Sequence, residues 1–183
     1  MIWRRLHPLF LLVGVALLGF VFANVEVQIE GASGWAASLP VTFRVESHWL
    51  LDVFWGGRPM TGYHAWIFAF MALVFHLPLL LTWQWSWKLE ARVLGCVMVF
   101  WIIEDAMWFP LNPAYGWSRL LAKQVPWHRS WLLGLPTDYW TFSITGALLI
   151  WYSFRAPRPK APPAAAGGAA AGGGASRNRG DDP

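Results

Sequence analysis

Two adjacent carboxylates, Glu104 and Asp105, stand in Trp101-Ile102-Ile103-Glu104-Asp105-Ala106-Met107-Trp108-Phe109-Pro110, an otherwise apolar run. A charged side chain at the centre of a membrane-spanning helix costs about 2.5–3.5 kcal/mol on insertion scales, so acids in such a run point to function. His64 opens another apolar run, and an imidazole serves as base, acid or metal ligand. His128 lies in Pro126-Trp127-His128-Arg129-Ser130-Trp131. Together these four suggest a site in which Glu104 is a general acid or base, His64 its partner, and Asp105 and His128 position them or bind a divalent metal. Pro110 and Pro113 should end the helix that carries the acids, which leaves Glu104 roughly 8–9 Å below its end at 1.5 Å per residue. Adjacent residues project about 100° apart, so Glu104 and Asp105 should not face one small pocket equally. The alternative is that one or both acids pair with a loop arginine or cap backbone N–H groups.

Glu26, Glu30, Asn112 and Asp138 belong to the same layer, with Glu26 and Glu30 expected on a solvent-facing strand opposite Arg44. His76 lies about 18 Å deeper than His64 and reads as a neutral imidazole bonded within the kink of Pro78. No His-Glu-x-x-His or Glu-x-x-His spacing is present, so no motif identifies a metal, and the cofactor stays open. Phosphate loops, nucleophile elbows and dinucleotide fingerprints are also missing.

The elements that must position these residues follow from composition. Of 183 residues, 56% are hydrophobic and 13% charged, the latter about half the roughly 25% of a soluble domain. Mean hydropathy is +0.39, and there are 15 tryptophans. This is the composition of an integral membrane protein. The net charge of +4 comes from Lys and Arg scattered along the chain, which excludes a nucleic-acid partner. A single cysteine, Cys96, excludes an intramolecular disulfide and a cysteine-based metal site.

Four apolar stretches suit spans at 9–25, 63–83, 89–109 and 138–154, joined by outer loops 26–60 and 112–136, so that 1–155 form an all-α four-helix transmembrane domain. Seven basic residues (Arg4, Arg5, Lys88, Arg92, Arg155, Arg158, Lys160) would flank the inner side and five (Arg44, Arg58, Arg119, Lys123, Arg129) the outer, which places both termini in the cytoplasm. A basic start followed by Val21-Phe22-Ala23 also fits a signal peptide cut after Ala23, an alternative to a retained first span. Trp3, Trp83, Trp85, Trp87 and Trp151 fall near the inner boundary, and eight others fall near or beyond the outer one. That excess implies a structured extracytoplasmic cap.

Period-two patterns at 25–30 and 41–46 predict a short β-hairpin in that cap. The stretch 47–55 predicts an interfacial helix capped by Ser47, with Trp49, Leu50, Val53 and Phe54 on one face. The stretch 156–183, rich in Ala, Gly and Pro, predicts a disordered cytoplasmic tail. No direct or inverted repeat is visible, which argues against a transporter.

Several segments share a pattern: Glu30-Gly31, Gly34-Trp35-Ala36, Thr61-Gly62-Tyr63-His64, Glu104-Asp105 through Asn112-Pro113, Pro126-Trp127-His128 and Pro136-Thr137-Asp138-Tyr139-Trp140. In these the chain resembles an uncharacterised family of small bacterial multispan membrane proteins, over roughly 30–140. The resemblance implies the bacterial inner membrane and carries no activity. Two functional readings stand. One is an enzyme acting on a lipid or other apolar substrate in the outer leaflet. The other is an accessory or assembly subunit that binds a membrane-protein partner. Whether the chain is an enzyme is left open by the sequence.

Overall fold

The computed structural model describes residues 2–121 and 124–155. The tail expected at 156–183 lies outside the described residues. The chain is mostly helical, in the order α1 (Ile2–Glu30), β1 (Arg44–Val45), α2 (Trp49–Phe54), β2 (Met60–Thr61), α3 (Gly62–Thr82), α4 (Trp87–Leu111), α5 (Gly116–Leu121), β3 (Trp131–Leu132), β4 (Leu135–Pro136) and α6 (Thr137–Phe154). Three helical stretches are long and apolar enough to cross a membrane: His7–Glu30, Gly62–Thr82 and Trp87–Leu111. The 18-residue α6, expected as a fourth span, is not among them.

Helix α4 is the axis of the fold. It packs most extensively against α6 and α1, and less against α3. Its start is fixed by Ser86, whose Oγ accepts the Leu89 N–H at 3.2 Å. Its end is fixed by Asn112, whose amide donates to the Gly31 carbonyl at the end of α1 (2.8 Å). One apolar cluster lies mid-bundle around Val15, Met71, Cys96, Phe100 and Ile150. A second gathers Ala23, Trp108, Phe109, Trp127 and Tyr139 under the loops at one end, here called the cap end. Outward faces are apolar as well. On α3, Trp66, Phe70, Leu73 and Leu77 are all exposed and recur at helical spacing, the reverse of a soluble helix.

The expected hairpin between 25–30 and 41–46 does not form. Residues 25–30 are the last turns of α1. Their alternation is real, but a helix already under way propagates at little cost until something breaks it. The break comes at Gly31, with φ +60° and an N–H that donates to the Val27 carbonyl (3.0 Å). Glu26 and Glu30 therefore share one face of a helix and are buried, not solvent-facing opposite Arg44. Of 41–46 only Arg44–Val45 is strand, and it pairs antiparallel with Met60–Thr61 downstream. A second hairpin, β3–β4, sits in the loop before α6. It turns on Leu133 (φ +49°) and Gly134 (φ +85°). Helix α2 forms as expected, but its N-cap is His48 rather than Ser47. Its buried residue is Leu51, while Trp49, Leu50 and Val53 stay exposed.

The α4–α6 contact depends on glycine at both sides. A Cβ on Gly95 would lie 2.8 Å from the Gly146 carbonyl oxygen and from Ile150 Cγ1, so only glycine permits this approach. Gly95→Ala is expected to destabilise the protein by about 1–3 kcal/mol, read as a lower melting temperature in mild detergent. Gly14→Ala, where an added Cβ meets nothing within 4 Å, should not lower the melting temperature.

Candidate functional site

At the cap end a pocket holds about 660 Å³ of non-atom space, its open mouth included. α1 and α6 contribute residues at four-residue spacing and so present one face each, while α3 and α4 contribute a broader stripe that includes adjacent residues. These are Glu26 and Glu30 of α1, His64, Ile67 and Phe68 of α3, Trp101, Glu104, Asp105 and Trp108 of α4, and Asp138 and Phe142 of α6. Trp35, Trp55, Arg58 and Trp127 come from the loops, and Phe54 of α2 and Ile102 of α4 complete the lining. One part of the wall is acidic and the rest is largely aromatic.

The centre of the polar wall is Arg58, buried in the loop between α2 and β2. Its Nη1 donates to Asp105 Oδ1 (3.1 Å) and its Nε to the Trp55 carbonyl (3.1 Å). Nη2 donates to Asp138 Oδ2. The guanidinium lies over the Trp35 ring, 4.3 Å from its centroid. Burial works against the charge on Arg58, but Asp138 and then Asp105 outweigh it, so its pKa is raised above the ordinary arginine value. The local sequence Gly56-Gly57-Arg58 makes this reachable. Gly56 has φ +58°, and a Cβ there would sit 3.1 Å from Asp138 Oδ1. Asp105 also accepts the Tyr139 hydroxyl at 2.5 Å. His128 is wedged behind the pair, Nε2 at 3.4 Å from Asp105 Oδ2 and Nδ1 at 3.9 Å from Asp138 Oδ1. Neither ring nitrogen of His128 has a well-aligned hydrogen-bond partner among the described residues.

His64 is held differently. It is 3% exposed, and its ring stacks on Trp35 with centroids 3.9 Å apart. Nδ1 accepts the Thr61 N–H (3.3 Å) and sits 2.8 Å from Thr61 Oγ1. A neutral imidazole that accepts at Nδ1 carries its proton on Nε2, and Nε2 is buried without a partner. Trp35 and Ala36 hold φ +44° and +51°, a conformation that costs about 1–2 kcal/mol per residue. Two hydrogen bonds offset it: Trp35 Nε1 donates to the Pro59 carbonyl (2.8 Å), and the Ala36 N–H donates to Glu30 Oε1 (2.6 Å). Glu26 accepts the Tyr63 hydroxyl (2.7 Å). Glu104, 6% exposed, makes no hydrogen bond or ion pair with any described residue.

The four candidates thus divide. Glu104 and His64 line the pocket with unused hydrogen-bonding capacity. Asp105 also borders it but is committed to Arg58 and Tyr139, and His128 is behind it, outside the lining. Among the described residues no group of three His, Cys, Asp or Glu side chains is placed to hold a metal ion. His76 lies elsewhere, Nδ1 at 2.7 Å from the Ala72 carbonyl and Nε2 at 3.1 Å from Glu90 Oε1. The sequence allowed a loop arginine paired with the acids without singling out Arg58, and it did not mark Trp35 or Tyr139 as site residues. The one available signal for Arg58 was a cation set directly after two glycines in a loop of aromatics. Comparison of the chain with protein-family models, curated proteins and solved structures finds no match.

Removing one partner of a buried ion pair leaves the others uncompensated. Arg58→Met is therefore expected to cost about 3–5 kcal/mol. Tyr139→Phe, which removes one neutral donor, should cost about 1–3 kcal/mol. Thermal unfolding in detergent, compared with the unaltered chain, measures both.

Proposed function

We propose that the chain is a four-span membrane enzyme whose cap-end pocket admits a lipid or other apolar substrate and acts on it by acid–base chemistry. The observation that carries this reading is Glu104: a carboxylate buried in an apolar helix, bordering a pocket, with no partner of its own. Structural acids of this fold are paired, as Asp105 and Asp138 are with Arg58. An acid left unpaired at such expense is the mark of a functional group. Glu104 accepts or returns a proton on the substrate. His64, with its proton on Nε2, donates from the α3 side. Aromatic walls exclude water and hold the apolar body in place.

The fourth span is α6. Its Ile144, Leu148, Trp151 and Tyr152 are exposed at helical spacing, as lipid-facing residues would be. Antiparallel neighbours then place the ends of α1 and α4 and the starts of α3 and α6 in one leaflet. The basic flanks put that leaflet outside and both termini in the cytoplasm. The resemblance described above supports a bacterial inner membrane. Trp49, Leu50 and Val53 of α2 rest in the interface beside the pocket.

The test is lipid profiling of cells lacking the chain, complemented with the unaltered protein or with Glu104→Gln. One lipid species is expected to accumulate without the chain and disappear on complementation. Loss of a general acid or base lowers rates about 10²–10⁴-fold, so Glu104→Gln should leave the accumulation in place. Full rescue by Glu104→Gln would overturn the catalytic assignment. An unchanged profile throughout would turn the reading toward an accessory subunit.

A further inference from the structure

We propose that the ligand of this pocket carries a cationic amine nitrogen on an apolar body, with the nitrogen held by Glu104 between aromatic walls. The inference names a ligand class for the same pocket and rests on reading that pocket as a ligand site.

Charge is the first argument. Five carboxylates border the space, those of Glu26, Glu30, Glu104, Asp105 and Asp138, against one guanidinium. That guanidinium is already engaged: Asp105, Asp138 and the Trp55 carbonyl each take one of its donors, and its face lies on Trp35. Glu26 and Glu30 receive only neutral donors, the Tyr63 hydroxyl and the Ala36 N–H. Among the described residues no cationic side chain forms an ion pair with Glu104, which is more than nine-tenths buried. An unpaired buried carboxylate is costly, and either protonation or a bound cation relieves it. An anionic head would add to the same excess and find no free donor cation.

The second argument is independent of the acids. The rest of the lining is largely aromatic, with Phe68 and Trp101 packed edge-to-face, centroids 4.7 Å apart, and Trp55 stacked on Phe68 at 5.4 Å. Aromatic enclosures attract ammonium and quaternary ammonium groups through the ring quadrupole, most strongly where water is excluded. Trp108 and His64, both in this lining, each keep a buried ring nitrogen with no hydrogen-bond partner among the described residues. The pocket thus offers a place for positive charge and a wall for an apolar body.

The test uses the full chain in non-ionic detergent. It is titrated with (4-phenylbutyl)trimethylammonium and with the neutral analogue in which a tert-butyl group replaces the trimethylammonium. The two differ in charge but hardly in shape. Thermal stabilisation as a function of concentration gives an apparent Kd for each. The cation is expected to bind about tenfold or more tightly than the analogue, and Glu104→Gln should bring the two together. Equal binding of the pair, or no saturable binding of either, overturns the proposal. Because the pair is compared on the unaltered chain, the result stands even where Glu104→Gln fails to fold. Equal binding alongside a chain-dependent lipid profile would remove the amine and leave the enzymatic reading intact.

Discussion

The cap end of this protein depends on one buried cation. Arg58 reaches from a loop into the space between α4 and α6 and holds Asp105 of the one and Asp138 of the other. Without it, two carboxylates would sit in an apolar interior with a histidine and a tyrosine as their only company, a penalty of several kcal/mol per ion. With it, the two helices are fixed in register at the level of the pocket, and the loop that carries Arg58 is fixed over them. Trp35 then packs on the guanidinium, His64 packs on Trp35, and the start of α3 is set by the Thr61 contact to the same imidazole. The site is a chain of contacts that begins at one side chain.

The same constraint explains why the neighbouring acids differ. Glu104 and Asp105 are adjacent, so their side chains leave α4 in directions about 100° apart. Asp105 falls toward α6, where Arg58, Tyr139 and His128 meet it. Glu104 falls toward α1 and α3, whose contributions at that level are Glu26, Glu30 and His64. The fold thus keeps one acid as structure and leaves the other to the pocket. Deeper in the bundle the contacts are apolar and close, and the glycine approach of α4 to α6 supplies what a polar knot supplies at the cap. Bulk lies outward, in exposed Trp, Phe and Leu.

Much of this was legible in the residues. Apolar run lengths located α3 and α4 to within two residues and the middle of α1, and the acids, His64 and the Trp-rich loops marked the cap end. What failed was local. Residues 25–30 alternate like a strand but extend α1, because periodicity cannot register that a helix is already propagating and that its first breaker is Gly31. The true partner of Arg44–Val45 lay downstream at Met60–Thr61, a pairing set by tertiary placement rather than by pattern. Arg58 looked like one more flanking charge, since its burial follows from Gly56 and Gly57 letting the loop dip between two helices. His128 shared its layer with His64 in one dimension and ended behind the ion pair in three.

The central claim, that Arg58 and its acids form one energetic unit, is tested most directly by a double-mutant cycle on Arg58→Met and Asp138→Asn, read from equilibrium unfolding in detergent. The account predicts strong non-additivity: the double variant is less damaged than the sum of the singles by about 1–3 kcal/mol, because each single change strands the other group. Additive losses, within about 0.3–0.5 kcal/mol, would contradict it and would mean that the pocket is organised by something other than this pair.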